Sequence, residues 1–187
     1  YYNEGKREYW GVFKYNKGIY AGSIYVGEYK GSKMHGLGIM TYDNGKVYEG
    51  DFLFGYAHGK GSEYYPNGDT YTGDFIATMK EGDGIYKYAN GNSYEGEFKK
   101  DLPEGQGLFV NKKDKSKYKG QFKAGKANGK GTFWYPNGEK YVGDWVDDIK
   151  NGKGVYTYKN KEKYEGQFVN GKRNGAVSYT HLTLPTI

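Results

Sequence analysis

The stretch YEGDFLFGYAHGKGSEYYPNGDT, residues 48–70, decides the fold. Tyr48, Gly50 and Phe52 share one parity, and a few residues later Gly59, Gly61, Glu63 and Tyr65 share another. Alternation of this kind over a short segment is the period of a β-strand. Asn67-Gly68 then supplies the strongest two-residue hairpin signal, a type I′ turn with positive φ at both positions. One such stretch therefore reads as a β-hairpin joined to the next by a second hairpin turn.

The phrase is not isolated. Tyr-x-Gly recurs at Tyr25, Tyr48, Tyr71, Tyr94, Tyr118, Tyr141 and Tyr164, at spacings of 23, 23, 23, 24, 23 and 23 residues. Asn-Gly returns at Asn44-Gly45, Asn67-Gly68, Asn90-Gly91 and Asn137-Gly138, always three residues before the next Tyr. A fixed period of this length marks a repeat architecture, in which each unit packs only on its neighbours. The unit at Tyr94 is one residue longer and carries NKKDKSK, residues 111–117, where others have Asn-Gly, so its hairpin is expected to be wider. Asn160-Lys161 predicts a non-glycine residue at positive φ. Glycine between two rings, as in Tyr118, Gly120 and Phe122, leaves room for a ring from the adjacent strand. The expected fold is all-β: an elongated, solenoid-like, single-layer antiparallel sheet of stacked β-hairpins, with aromatic rings over glycine on one face.

Composition agrees. Among 187 residues there are 32 Gly, 23 Tyr, 9 Phe and 3 Trp, and aromatic residues make up 19 %. A mean hydropathy of −0.96 alone would suggest disorder, but disordered chains are poor in rings. Cysteine is absent, which excludes a disulfide scaffold and thiolate metal sites and leans towards a reducing compartment. There is no Asn-x-Ser/Thr sequon, no apolar run near transmembrane length and no signal-peptide pattern.

YEGDFLFGYAHGKG, YKGQFKAGKANGKG and YVGDWVDDIKNGKG resemble the membrane occupation and recognition nexus (MORN) repeat, whose pattern is roughly Y-x-G-x-[W/F]-x-x-G-x-x-x-G-x-G. The resemblance covers seven units over residues 25–175. Such arrays occur in radial spoke head proteins, junctophilins and cytoskeletal scaffolds, and ahead of catalytic domains in plant phosphatidylinositol phosphate kinases and a lysine methyltransferase. Residues 1–24 read as a degenerate, partial repeat with Gly5, Gly11, Tyr15 and Gly18 in phase, and more repeat is expected upstream of a chain that begins mid-unit. Residues 176–187 leave both phase and turn pattern; they read as a capping strand or, the favoured reading, a foreign junction.

Chemistry finds little support in the residues. His35 and His58 share a phase, but Glu81, Glu104, Asn128, Asn151 and Asn174 fill it elsewhere, as befits a turn position making a local hydrogen bond. A zinc site would need further ligands in phase, and none are. Glu28, Asp51, Asp74, Glu97 and Asp144 recur after the repeat glycine, yet Gln121 and Gln167 take the same slot, so a solvated face paired to nearby Lys is expected. Gly-x-Gly opens no helix here, which removes the dinucleotide and phosphate-loop readings. No catalytic residues, no cofactor and no metal are expected, and the chain is read as no enzyme.

The net charge of +6 is the remaining lead. Lys outnumbers Arg 26 to 2, which argues against sequence-specific nucleic-acid readout. Lys112, Lys113, Lys115, Lys117 and Lys119 form one local concentration, suited to an anionic lipid or acidic partner, or serving as solvated edge protection. Tyr64 and Trp134 point away from the aromatic layer and mark a candidate interaction surface. The resulting expectation is a scaffold for protein partners in a cytoskeletal, ciliary or membrane-associated assembly, cytoplasmic and capable of self-association. The alternatives are the targeting or regulatory array of a larger kinase or SET-type methyltransferase, and an anionic phospholipid-binding module.

Overall fold

The computed structural model describes residues 8–180, with side chains from Trp10 to Gly175. Fifteen strands and no helix are found among the described residues, and their hydrogen-bonded order is the chain order of one antiparallel sheet. Gly5 and residues 181–187 lie outside the described residues, so the reading of the tail as foreign sequence falls largely there.

The chain divides into two compact units. The first, residues 1–90 with 98–101, contains β1 (Glu8–Lys14), β2 (Ile24–Lys30), β3 (Lys33–Thr41), β4 (Val47–Leu53), β5 (Tyr56–Tyr64), β6 (Thr70–Ile76) and β7 (Met79–Lys87). Gly11, Gly27, Gly38, Gly50, Gly61, Gly73 and Gly84 face one another in successive registers, forming a row of glycine across the sheet. The second unit, residues 91–97 with 102–187, contains most of β8 (Ser93–Lys99), then β9 (Leu102–Val110), β10 (Lys117–Lys123), β11 (Lys126–Trp134), β12 (Lys140–Val146), β13 (Ile149–Thr157), β14 (Lys163–Val169) and β15 (Lys172–Thr180). Gly107, Gly120, Gly131, Gly143, Gly154 and Gly166 make its own row.

Over each row lies a layer of rings. Tyr48 stands edge-on to Phe52 at 5.0 Å and to Phe75 of the next repeat at 4.9 Å. Tyr118 does the same with Phe122 and Trp145 at 5.0 and 5.1 Å. Edge-to-face contacts of this kind add about 0.5–1.5 kcal/mol each beyond area burial, so they couple every hairpin to the next. The repeat tyrosines and their Phe or Trp partners are buried. Each Tyr hydroxyl donates to the carbonyl three residues on, as Tyr48 does to Asp51 at 2.8 Å and Tyr141 to Asp144 at 2.9 Å. Burial, reinforced by nearby carboxylates, pushes the Tyr118 and Tyr141 phenols up to about 12.

Glycine has two separate causes here. A Cβ on Gly61 would meet the Tyr48 ring at 2.5–2.7 Å, so this glycine is set by close approach. The ring over Gly50 also belongs to Tyr48, on the same strand, whereas an adjacent-strand ring was expected; only Gly61 receives its ring from across the ladder. Gly59 instead has φ +69°, at a bulge: Gly50 pairs with Gly61 and Phe52 with Ala57, leaving Asp51 alone opposite three residues.

The turns reverse the expected assignment. The joint at Asn44-Gly45 has positive φ at Gly45 only; the Tyr42 N–H donates to the Lys46 carbonyl and the Gly45 N–H to that of Tyr42. That is a three-residue loop with glycine at a G1 bulge, and the Asn44 side chain accepts from the Lys46 N–H at 3.0 Å. The type I′ signature occurs within the repeats, at Phe54-Gly55, Ala77-Thr78, Lys100-Asp101, Ala124-Gly125 and Asp147-Asp148, where both residues have positive φ. Non-glycine residues are held there because the second N–H reaches the preceding repeat, as from Asp148 to Ala127 at 3.0 Å. Lys161 has φ 71°, as the Asn160-Lys161 dipeptide predicts.

Candidate interaction surfaces

The face opposite the rings carries the residues singled out from the sequence. In the first unit Tyr64 ends β5 between Val47 and Thr70 and is 45 % exposed. In the second, Trp134 ends β11 between Lys117 and Lys140 and is 38 % exposed. The five lysines are all exposed and are divided between a loop and a strand. Lys112, Lys113 and Lys115 are exposed in the wide loop before β10, whereas Lys117 lies beside Trp134 and Lys119 beside the glycine row. That loop is organised by Asn111, whose side chain accepts from the Lys113 N–H at 3.0 Å, and by Asp114, which accepts from Ser116 at 2.8 Å.

Because glycine offers no side chain to either face, the row in the second unit is the floor of a groove of about 720 Å³. Its walls include Lys119, Thr132, Val142 and Val155 on one side and Lys130 and Lys153 on the other. Of the recurring acid or Gln slot, Gln167 lines this groove. Asp51 accepts from the Lys60 N–H at 3.0 Å and Asp144 from the Lys153 N–H at 2.9 Å; Gln121 does the same for Lys130 at 2.7 Å. These are the backbone donors that the bulge leaves without a ladder partner. The slot thus requires an acceptor oxygen, which explains why Gln substitutes for Asp, and lysine pairing is secondary. Lys60 to Asp74 at 2.7 Å and Lys130 to Asp144 at 2.5 Å are nonetheless present. Lys130 is the main cause that holds the Asp144 carboxyl below the ordinary carboxylate range.

The slot of His35 and His58 is not a local turn contact. In later repeats Glu81 accepts from the Lys100 N–H at 3.1 Å and Glu104 from the Ala124 N–H at 3.0 Å, both in the next hairpin's turn. His35 packs against the Phe54 ring at 5.9 Å. No cluster of three potential metal ligands occurs among the described residues.

A buried charge network in the first unit was not anticipated. Glu63, only 2 % exposed, faces the ring layer and binds Lys46 at 2.6 Å and Lys80 at 2.8 Å. The Tyr65 hydroxyl donates to the same carboxylate, and Lys80 Nζ donates to the Tyr65 oxygen at 2.6 Å. Burial opposes ionisation of Glu63, but the two ammonium groups and the Tyr65 hydroxyl together outweigh it and hold the carboxyl below its ordinary value. The signal available in the sequence was the odd Glu63 in a slot taken elsewhere by Met40, Tyr86, Phe133 and Tyr156.

Seven stretches, 25–47, 48–70, 71–93, 94–112, 118–140, 141–163 and 164–176, match the MORN repeat model. The chain belongs to the MORN-repeat family. Among curated proteins none matches it significantly. Among solved structures, this MORN array is loosely similar to the TCP domain of Drosophila melanogaster SAS-4 in complex with a proline-rich motif of Ana2, with 16 % identity, 78 % of this chain and 84 % of that chain covered, and a TM-score of 0.44. The TCP10c domain of Drosophila melanogaster Sas-4 gives 16 % identity, 86 % and 97 % coverage and a TM-score of 0.45. The G-box domain of the microcephaly protein CPAP gives 9 %, 93 % and 99 %, and 0.44. No helix among the described residues of the MORN array is long and apolar enough to cross a membrane.

Proposed function

We propose that this MORN array is a non-catalytic scaffold that binds protein partners, in a cytoskeletal, ciliary or membrane-associated assembly facing the cytosol. One observation carries the reading: the rings pack on one face of a single layer, while large side chains such as Tyr64 and Trp134 stay exposed on the other. Exposed aromatics beside exposed aliphatic side chains such as Ile39 and Val142 favour a protein surface as their cover. Tyr64→Lys and Trp134→Lys should leave the fold unchanged, since both side chains stand outside the ring layer, and should remove specifically captured partners in quantitative affinity capture from cytoskeletal extract. An unchanged set of partners in both variants overturns the reading.

A second reading rests on the exposed trio Lys112, Lys113 and Lys115, which would attract an anionic membrane surface by about 1 kcal/mol per Lys. It predicts salt-sensitive sedimentation with phosphatidylserine vesicles, lost when the three become Glu.

A further inference from the structure

The second position of each repeat's second strand runs Met34, Ala57, Lys80, Pro103, Ala127, Lys150 and Arg173. Three of these are cations, and in all three the side chain reaches a Tyr hydroxyl fifteen residues earlier: Lys80 to Tyr65, Lys150 to Tyr135, Arg173 to Tyr158. Their surroundings differ in one respect. Lys80 is neutralised within the fold by Glu63 at 2.8 Å and Asp101 at 3.5 Å. At Lys150 the slot of Glu63 holds Phe133 and the slot of Asp101 holds Gly171, so both counter-charges are gone.

What surrounds Lys150 instead is aromatic. Its ammonium stands 5.2–5.8 Å from the ring centres of Tyr135, Tyr141, Tyr156 and Phe168, and among the described residues its one hydrogen bond goes to the Tyr135 hydroxyl at 2.9 Å. No carboxylate lies within ion-pair distance of it among the described residues. Rings hold a cation in place without consuming its N–H donors, so two of three remain to be matched. Arg173 stands 5.7 Å from the rings of Tyr158 and Tyr164 and, with Lys150, lines a pocket of about 420 Å³ to which Phe168 and Lys172 also contribute. Glu139 and Glu162 lie along a neighbouring depression beside Arg173, and Glu139 is engaged by the Tyr156 hydroxyl at 2.5 Å.

We propose that Lys150 and Arg173 form an oxyanion-binding site, which takes a phosphate-monoester or carboxylate group into the pocket that Phe168 helps to line. The incoming oxygens replace the two carboxylates that the equivalent Lys80 site supplies internally. The aromatic walls suit a group carried on an apolar or aromatic stem.

The test is a titration of the full chain with inorganic phosphate, phenyl phosphate and acetate at constant ionic strength, following the Phe168 and Tyr156 ring resonances. A saturable shift with half-saturation of about 1–10 mM is expected, with the Tyr65 resonances around Lys80 unmoved. Lys150→Met should weaken it about tenfold or more, the loss of one charge-assisted contact. Gly171→Asp restores the internal counter-charge at a turn position that Asp101 and Asp148 already occupy at φ 69° and 68°, so it should fold and weaken binding similarly. Preference for phenyl phosphate or for acetate assigns the source of the oxyanion. No saturable shift by about 50 mM, or equal shifts in the wild type and both variants, overturns the proposal.

Discussion

Tyr48 covers Gly61 so closely that a Cβ there would stand 2.5 Å from the phenol oxygen, and the same ring spans the facing Gly50. The contact is between the two strands of one hairpin, and the hydroxyl is fixed by its bond to the Asp51 carbonyl at 2.8 Å. A ring pinned at both ends cannot retreat. Gly61→Ala should therefore cost about 2–4 kcal/mol, in the range of overpacking plus lost ring contacts. Gly138→Ala, at φ 88° with nothing within 4 Å of its Cβ, should cost only about 1 kcal/mol of backbone strain. Urea midpoints, with hydrogen exchange of β4 and β5 amides for Gly61, decide between the two orders.

The period, the strand pairs and the face on which Tyr48, Tyr71 and Phe75 are buried were legible because side-chain alternation and a fixed spacing are properties of the sequence itself. The role of Gly59 was not, since Gly-x-Gly looks alike whether the first glycine serves a bulge and the second a ring. Asn44-Gly45 misled for a related reason: Asn-Gly suits a type I′ turn and also a type I turn with a G1 bulge, and the number of loop residues decides. Of the candidate surfaces, the orientation of Tyr64 and Trp134 followed from parity. That Lys112 lies in a loop and Lys117 and Lys119 on β10 was not legible, because no turn signal marks where the NKKDKSK loop ends. Glu63 and Lys80 lie seventeen residues apart in different repeats, and only the register between hairpins brings them together.

The Asp51 slot tests acceptor against charge. Asp51→Asn keeps an oxygen for the Lys60 N–H and should change stability by less than about 0.5 kcal/mol. Asp51→Ala strands that donor and should cost about 0.5–1.5 kcal/mol, the usual range for one hydrogen bond. Equal losses in the two variants, by urea denaturation, would show that the carboxylate acts through its charge.

The buried network tests pairing. Glu63→Gln leaves Lys80 buried beside a neutral partner and should cost about 3–5 kcal/mol, the range for breaking one side of a buried pair. Glu63→Met with Lys80→Ala copies the Met40 and Ala57 combination of the preceding repeat, so the double variant should recover most of that loss. A double variant no better than the single one would mean that the network, not the slot volume, holds these hairpins together.

Acid should act through the same carboxylate. Its folded value is depressed, so the stabilisation from ionised Glu63 is complete above the unfolded value of about 4.3 and is lost as pH falls through the folded value below it. Across the window from about pH 5 down to about pH 2, the wild type should therefore lose more stability than the Glu63→Met, Lys80→Ala variant, which has no proton to take up at that site. Above about pH 5 the two profiles should run parallel, because Glu63 is ionised in both folded and unfolded wild type. Urea midpoints measured across this range would contradict the assignment if the two proteins lost stability equally on acidification.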